Sequence, residues 1–570
     1  MNSSQRLRTR IVGLGILAGA GVLLASLYNT AIIKGASYAG KANAQYAKPE
    51  TSLFARGSIF FVGKDGTQSA AATVESGNLL YLNPKLIADP VSAYAALSHV
   101  IGIDKAVFMQ KANKPNDSYE ELLHHLDDAT AASIRELGIK GVSVTPETWR
   151  AYPGNTLASH ELGIIGEDAA SSTVSGKYGL ERFYNDVLAR DGAESEINVF
   201  AEIFSGLGSV FGGKPDSGDV VTTIEPTVQA YLEKVLTKTQ DEWKPDEIGG
   251  VIMDPNTGEI YAMASHPTFN PNDLKSVKSA SVLSNSLVEH VYEMGSIMKP
   301  LTMATALDAG AVSPSSEYDD TGCLTLNEKK ICNYDQRARG VIPMQQILSQ
   351  SLNVGAATIA LKTGSSEFVK YFNSFGLDQK SGIDLPNEAK PITNNLKNPK
   401  DIDIATASYG QGIAVTPVAM TRMLAVIANG GYVVTPHLVK EIDRIDGSVK
   451  KTDIVRVGPY LKPTTVDDVK HMLVTVVDTA LANGALKKEH YTVAAKTGTA
   501  AIADHVNGGY YSDRWLHSFF GFFPAYEPRF IVFLYQIYPK NAKYASETLT
   551  KPFDDLTTFL INYYNIPPDR

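Results

Sequence analysis

Cysteine is almost missing from this chain of 570 residues, which has only Cys323 and Cys332. Two are too few for a cysteine zinc site or a disulfide scaffold. Long basic tracts are also missing and the net charge is −9, so nucleic acid is not expected as a main partner. No internal repeat is found, which argues against a solenoid. There is no Gly-x-Ser-x-Gly elbow to support a Ser-His-Asp triad, so His266, His290 and His517 read as structural. His124-His125 with Asp127-Asp128 follow no metal-ligand spacing and read as a solvated helix face. Gly208 to Lys214 fits GxxxxGK, but Pro215 stands where a phosphate loop needs Ser or Thr. It reads as an ordinary loop. No metal or cofactor is called for.

What is present is a globular composition, 44% hydrophobic and 20% charged, in a chain long enough for two or three domains. One apolar run, Ile11 to Ile33, follows Arg6, Arg8 and Arg10 and meets no charge until Lys34. Roughly 20 apolar residues span a bilayer, and flanking arginines stay inside. The small-x-small triplet Ala42-Asn43-Ala44 lies too far beyond this run for a signal-peptide site. The expectation is a cytoplasmic tail (1–10), a single-pass anchor (11–33) and an extracytoplasmic body. In that compartment Cys323 and Cys332 are either bonded to each other or two free thiols.

Beyond the anchor, 34–218 reads as a tether and a first domain of mixed strands and helices. Leu79 to Leu82 looks like a strand, and Pro90 to Ile101 and Glu120 to Leu137 have helical spacing. Gly206 to Gly218 ends the region as a glycine-rich loop. Glu225 to Trp243 then reads as an amphipathic helix, followed by a hairpin with Pro-Asn-Thr-Gly at its turn (255–258). The second domain, 219–570, is expected to be α+β with an antiparallel sheet.

That domain carries the chemistry. In Gly295-Ser296-Ile297-Met298-Lys299-Pro300, the serine sits at a helix mouth and the lysine one turn further in, on the same face. Pro300 fits the first turn, and Leu301, Met303, Ala304 and Leu307 can bury the helix and desolvate Lys299. A desolvated lysine loses pKa and can activate a hydroxyl. Ser351-Leu352-Asn353 follows about 55 residues later, between two helical segments, Pro343 to Gln350 and Val354 to Leu361. Lys496-Thr497-Gly498-Thr499 comes straight after the strand-like Tyr491 to Ala495, where its glycine would let another backbone approach. A lysine beside hydroxyls suits a terminal carboxylate on a peptide added to the strand edge. Three similar stretches lack this context. Ser448 to Lys451 is a polar turn, Ser76-Gly77-Asn78 precedes the nucleophile, and Lys362-Thr363-Gly364-Ser365 ends a helix with Gly364 as its cap.

Three motifs in this order are those of penicillin-binding proteins and serine β-lactamases, and the chain resembles a class B penicillin-binding protein, a monofunctional peptidoglycan D,D-transpeptidase. Arg150-Ala151-Tyr152-Pro153, His160-Glu161-Leu162-Gly163 and Gly179-Leu180-Glu181 look like motifs of its pedestal domain. Gly258-Glu259-Ile260, Tyr409 to Pro417, Lys496 to Ala500 and Ser518 to Pro524 look like its catalytic domain. Met294 stands where the family usually has proline, Ala501 where glutamine often follows, and Phe60-Phe61 where Asp-Arg is common. Ser286, after Asn285, replaces a frequent arginine.

The resemblance implies a transpeptidase-like catalytic domain on a pedestal of the dimerisation type. Ser296 would be the nucleophile and Lys299 its base, with Ser351 and Asn353 as proton relay and substrate holder. Lys496, Thr497, Gly498 and Thr499 would bind the terminal carboxylate, and the backbone N–H groups of Ser296 and Thr499 would form the oxyanion hole. It further implies stem peptides and β-lactams as ligands, and glycan-polymerising and cell-wall assembly proteins as partners. The modest pedestal leans towards a division role. The rivals are a D,D-carboxypeptidase or β-lactamase-type hydrolase, and a membrane sensor or scaffold that binds β-lactam without turnover.

Overall fold

The computed structural model describes residues 56–114, 116–167, 174–189, 217–504 and 506–570. The expected tail, anchor and most of the tether, together with the GxxxxGK loop, lie outside them. Among the described residues no helix is long and apolar enough to cross a membrane. The chain forms two compact units, one containing 76–148 and the other 56–75 with 149–570.

In the smaller unit, 78–82 pairs antiparallel with Glu120–Leu126, so that Asn78 faces Leu126 and Leu82 faces Glu120. Helices Pro90–Ser98, Lys105–Ala112 and Asp128–Glu136 each begin at an aspartate, Asp89, Asp104 and Asp127, whose side chain accepts from the first-turn N–H groups. Leu80, Leu82, Leu97, Phe108 and Ile134 are the centre of a separate core. The helix expected over Glu120 to Leu137 is therefore half strand. His125, inside the strand that ends at Leu126, has φ +62°, which precludes a continuous helix. His124 and His125 thus close a strand instead of decorating a helix, and His124 Nδ1 lies 2.8 Å from Glu147.

The larger unit holds α1 (Pro226–Trp243), β1 (Glu247–Met253), β2 (Ile260–His266), α2 (Lys299–Asp308), α3 (Asn353–Thr363), α4 (Pro417–Ala428), β3 (Ala494–Ala503), β4 (Tyr510–Phe523), β5 (Phe530–Ile537) and α5 (Thr550–Tyr563). Its main sheet has the order β3-β4-β5-β1-β2, antiparallel throughout. Strand alternation separates two faces. Gly250, Leu534 and Phe519 share one row. A side chain at Gly250 would meet Leu232 of α1, and Phe519 stacks on Phe553 of α5. The next row, Gly249, Tyr535, Ser518 and Gly498, faces the opposite side. There Ser518 Oγ donates to the Met294 carbonyl at 2.7 Å. α2 is buried from Lys299 to Ala306 and α4 along its whole length, polar members such as Lys299 and Arg422 included.

The strand expected at Tyr491 to Ala495 begins at Ala494 and runs through the lysine motif to Ala503. The first-domain motifs meet in a buried cluster of the larger unit. Arg56 Nε and Arg150 Nε donate to the two oxygens of Glu181 at 2.7 and 2.6 Å.

Candidate active site

The nucleophile segment is a 3₁₀ turn, Gly295–Met298, that runs directly into α2 with Lys299 as its first residue and Pro300 in the first turn. Gly295 has φ +67°, and its N–H donates to the Gly410 carbonyl at 3.1 Å. A Cβ on Gly295 would lie 3.1 Å from the Thr499 carbonyl, and one on Gly498 only 2.7 Å from Met294 O and 2.3 Å from Ser518 Oγ. Both glycines are required for the sheet edge to touch the nucleophile turn.

Behind the turn lies a pocket of cations. Lys299 is 1% exposed and Lys496 2%. Lys299 Nζ donates to the Ser351 carbonyl at 2.6 Å, to Ser351 Oγ at 3.2 Å and to Asn353 Oδ1 at 2.8 Å. Lys496 Nζ donates to the same Ser351 Oγ at 3.0 Å and to the Thr497 carbonyl at 3.0 Å. One hydroxyl is thus shared by two lysines, and the residue carrying it is held at φ +55°, a strained region for a residue with a Cβ. Among the described residues neither lysine has a carboxylate partner. Burial pushes Lys496 down to about 7. Burial, and then the charge of Lys496, hold Lys299 well below the usual lysine range. Ser296, partly exposed, has no hydrogen bond to Lys299, whose donors are taken by Ser351 and Asn353.

Asn353 opens α3, and its Nδ2 donates to the Cys332 carbonyl at 3.0 Å. The next residue, Asn333, accepts from the Val354 N–H at 3.1 Å and donates to Asp320 at 2.8 Å. Cys323 and Cys332 face each other in the hairpin Cys323–Leu326/Lys329–Cys332 and are disulfide-bonded. Along β3, alternation turns Lys496 and Gly498 inward. Thr497 and Thr499 are partly exposed on the other side, where Thr499 Oγ1 accepts from the Ala545 N–H at 3.1 Å.

The structure therefore brings Ser296, Lys299, Ser351, Asn353, Lys496 and Gly498 together, while the side chains of Thr497 and Thr499 stand on the other face of β3. The similar stretches lie elsewhere. Asn78 bonds Asp128 and Arg135 in the smaller unit, Gly364 caps α3 at φ +89°, and Val449–Lys451 is an exposed strand. His517 is buried between Thr548 Oγ1 and the Lys543 carbonyl, at 2.8 and 3.0 Å, and burial lowers it to about 4. Sequence reasoning left without a role Asn333, the Cys332 and Gly410 carbonyls and the Ser518 hydroxyl. The two carbonyls act through the backbone and leave no trace in residue type. Ser518 had a signal in the match of Ser518 to Pro524 to the resembled family.

Residues 248–556 match the family model for the penicillin-binding protein transpeptidase domain, and 56–202 match that for the penicillin-binding protein dimerisation domain. Stage V sporulation protein D of Bacillus subtilis is 28% identical over 491 residues, 84% of this chain and 74% of the relative. Peptidoglycan D,D-transpeptidase FtsI of Escherichia coli K12 is 26% identical over 484 residues, 84% of this chain and 78% of the relative. Among solved structures, penicillin-binding protein 2X from Streptococcus thermophilus superposes with a TM-score of 0.71 at 20% identity, covering 90% of this chain and 79% of that one. Penicillin-binding protein 3 from Mycobacterium tuberculosis, in complex with aztreonam, gives 0.68 at 22%, covering 90% and 97%. With more than half its length matched by the transpeptidase model and two inward-facing lysines converging on one serine, the chain belongs to the penicillin-binding protein transpeptidase family.

Proposed function

We propose that the protein crosslinks peptidoglycan by serine acyl transfer, as a D,D-transpeptidase that β-lactams inhibit. The observation that carries this reading is Ser351 Oγ held between Lys299 and Lys496 at 3.2 and 3.0 Å, beside the turn that presents Ser296. Lys299, neutral because it is buried, takes the Ser296 proton as the oxygen attacks the penultimate D-alanine carbonyl. The backbone N–H groups of Ser296 and Thr499 receive the developing oxyanion. Ser351 passes the proton to the departing D-alanine amine, and Asn353 orients the peptide. Lys496 holds the terminal carboxylate from one face of β3, and the partly exposed Thr497 and Thr499 reach it across the strand edge. An acceptor amine then takes the acyl group from Ser296.

In this reading 34–218 is the tether and pedestal, 219–570 the catalytic domain, and 11–33 a single-pass anchor that leaves the body outside the membrane. Support for the anchor comes from the apolar run behind three arginines. Glycan-polymerising and wall-assembly proteins are the expected partners, and septal synthesis the expected setting.

Fluorescent penicillin on wild type and Ser296→Ala tests the nucleophile. Product analysis with an added amine separates the reactions, since a transpeptidase forms the amide and a carboxypeptidase only the acid. Labelling that survives in Ser296→Ala rules the assignment out.

A further inference from the structure

A carboxylate stands three residues ahead of the nucleophile, and among the described residues it has no cation to neutralise it. Both oxygens of Glu293 lie in reach of the Tyr510 hydroxyl, at 3.1 and 2.9 Å, and the backbone at Gly412 adds a further bond. Among the described residues no lysine, arginine or histidine pairs with it. The donors that hold it are neutral, and in its partly buried position burial raises its carboxyl above the usual range. An uncompensated carboxylate of this kind costs stability, and a purely structural contact would be made as well by an amide.

Its supports are elements that flank the nucleophile turn. Tyr510 begins β4 and pairs with Ala503 at the far end of β3. The turn between them is fastened by Asp504, which accepts from the N–H groups of Val506 and Asn507 at 3.0 and 3.1 Å. On the other side Gly410, two residues before Gly412, accepts from Gly295. The charges of the cleft are therefore divided, with two lysines gathered on Ser351 and one carboxylate held between the hairpin end and the 410–412 loop.

A reaction between two substrates gives this division a meaning. The donor brings a terminal carboxylate, which the lysines suit and which Glu293 would repel. The acceptor brings a primary amine, a cation in neutral water. We infer that Glu293, held by Tyr510, binds the ammonium form of the acceptor amine ahead of transfer. The inference rests on the transpeptidase reading above. The bound ammonium releases one proton to solvent, and the free amine nitrogen then bonds to the acyl carbon. The Ser296 ester bond breaks, and a second amine proton passes through Lys299 to the Ser296 oxygen.

The test uses the full chain with an N-acyl-D-alanyl thioester as donor and glycinamide as acceptor, reading thiol release and the ratio of amide to acid. In Glu293→Gln the KM for glycinamide should rise about tenfold, the size of one lost charge-assisted contact. The rate at saturating glycinamide and the rate of penicillin acylation should stay within about twofold. Methanol, a neutral acceptor, should be used equally by both proteins, and Glu293→Asp should recover part of the glycinamide affinity. In wild type, a quaternary ammonium analogue of glycinamide, which cannot react, should compete with it. This last measurement decides the matter if the variants do not fold. An unchanged KM in Glu293→Gln, equal behaviour of the Asp and Gln variants, or no competition overturns the inference while penicillin still acylates Ser296. Loss of the transpeptidase reading would show differently, as labelling independent of Ser296.

Discussion

Two pairs of buried cations lie in the larger unit, and they are handled in opposite ways. Arg56 and Arg150 share one carboxylate, Glu181, with each Nε within 2.7 Å of an oxygen. Lys299 and Lys496 share one neutral hydroxyl, with each Nζ within 3.2 Å of Ser351 Oγ. The first pair is neutralised, and arginine cannot lose its proton. The second pair has no counter-charge among the described residues, so burial is relieved only by giving up protons. A paired cation holds structure in place. An unpaired lysine becomes a base at the expense of stability.

The sharpest break in this comparison is chemical. Ser296→Ala should abolish acylation by penicillin, and Lys299→Ala should slow it by about 10²–10⁴-fold, read by labelling kinetics. The second break is in stability. Glu181→Gln, which strands two arginines, should lower unfolding free energy by about 3–5 kcal/mol in denaturant melts, while folded protein still acylates. Lys299→Met should do the reverse and raise the melting temperature at neutral pH. A lysine whose folded pKa lies below its unfolded value costs stability at low pH, and that cost fades as pH rises towards about 10.4.

A smaller effect comes from titration. Acylation needs neutral Lys299 and charged Lys496, so its rate should rise with pH on the acid side and fall again near pH 7, where Lys496 titrates. The limbs belong to the coupled pair. Lys496→Arg, which cannot lose its charge in this range, should remove the falling limb. The smallest expected effect is none. Lys362→Ala and Lys451→Ala carry the same local motifs outside the pocket and should label as wild type does.

Local chemistry was legible wherever it sufficed. The hairpin at Pro255 to Gly258, the helix begun by Pro226, the cap at Gly364 and the spacing of Ser296 to Lys299 follow from residues a few positions apart. Glu120 to Leu137 was misread because its apolar spacing suits a helix, whereas strand pairing with 78–82 decides its first half. The site shows the same limit. Ser351 and Asn353 were found by motif, yet the Cys332 carbonyl that orients Asn353 has no signature of its own.

By itself the sequence determined the class of chemistry, a serine and a lysine one turn apart on a buried helix, with a second lysine on a glycine-bearing strand, because side-chain type and short-range spacing set those properties. Tertiary structure alone decided that Ser351 is strained between two lysines, that Gly498 lies against Met294, and that Tyr510 reaches Glu293. Those contacts join segments up to 217 residues apart, and the packing of the whole domain, which no short-range spacing encodes, brings them together.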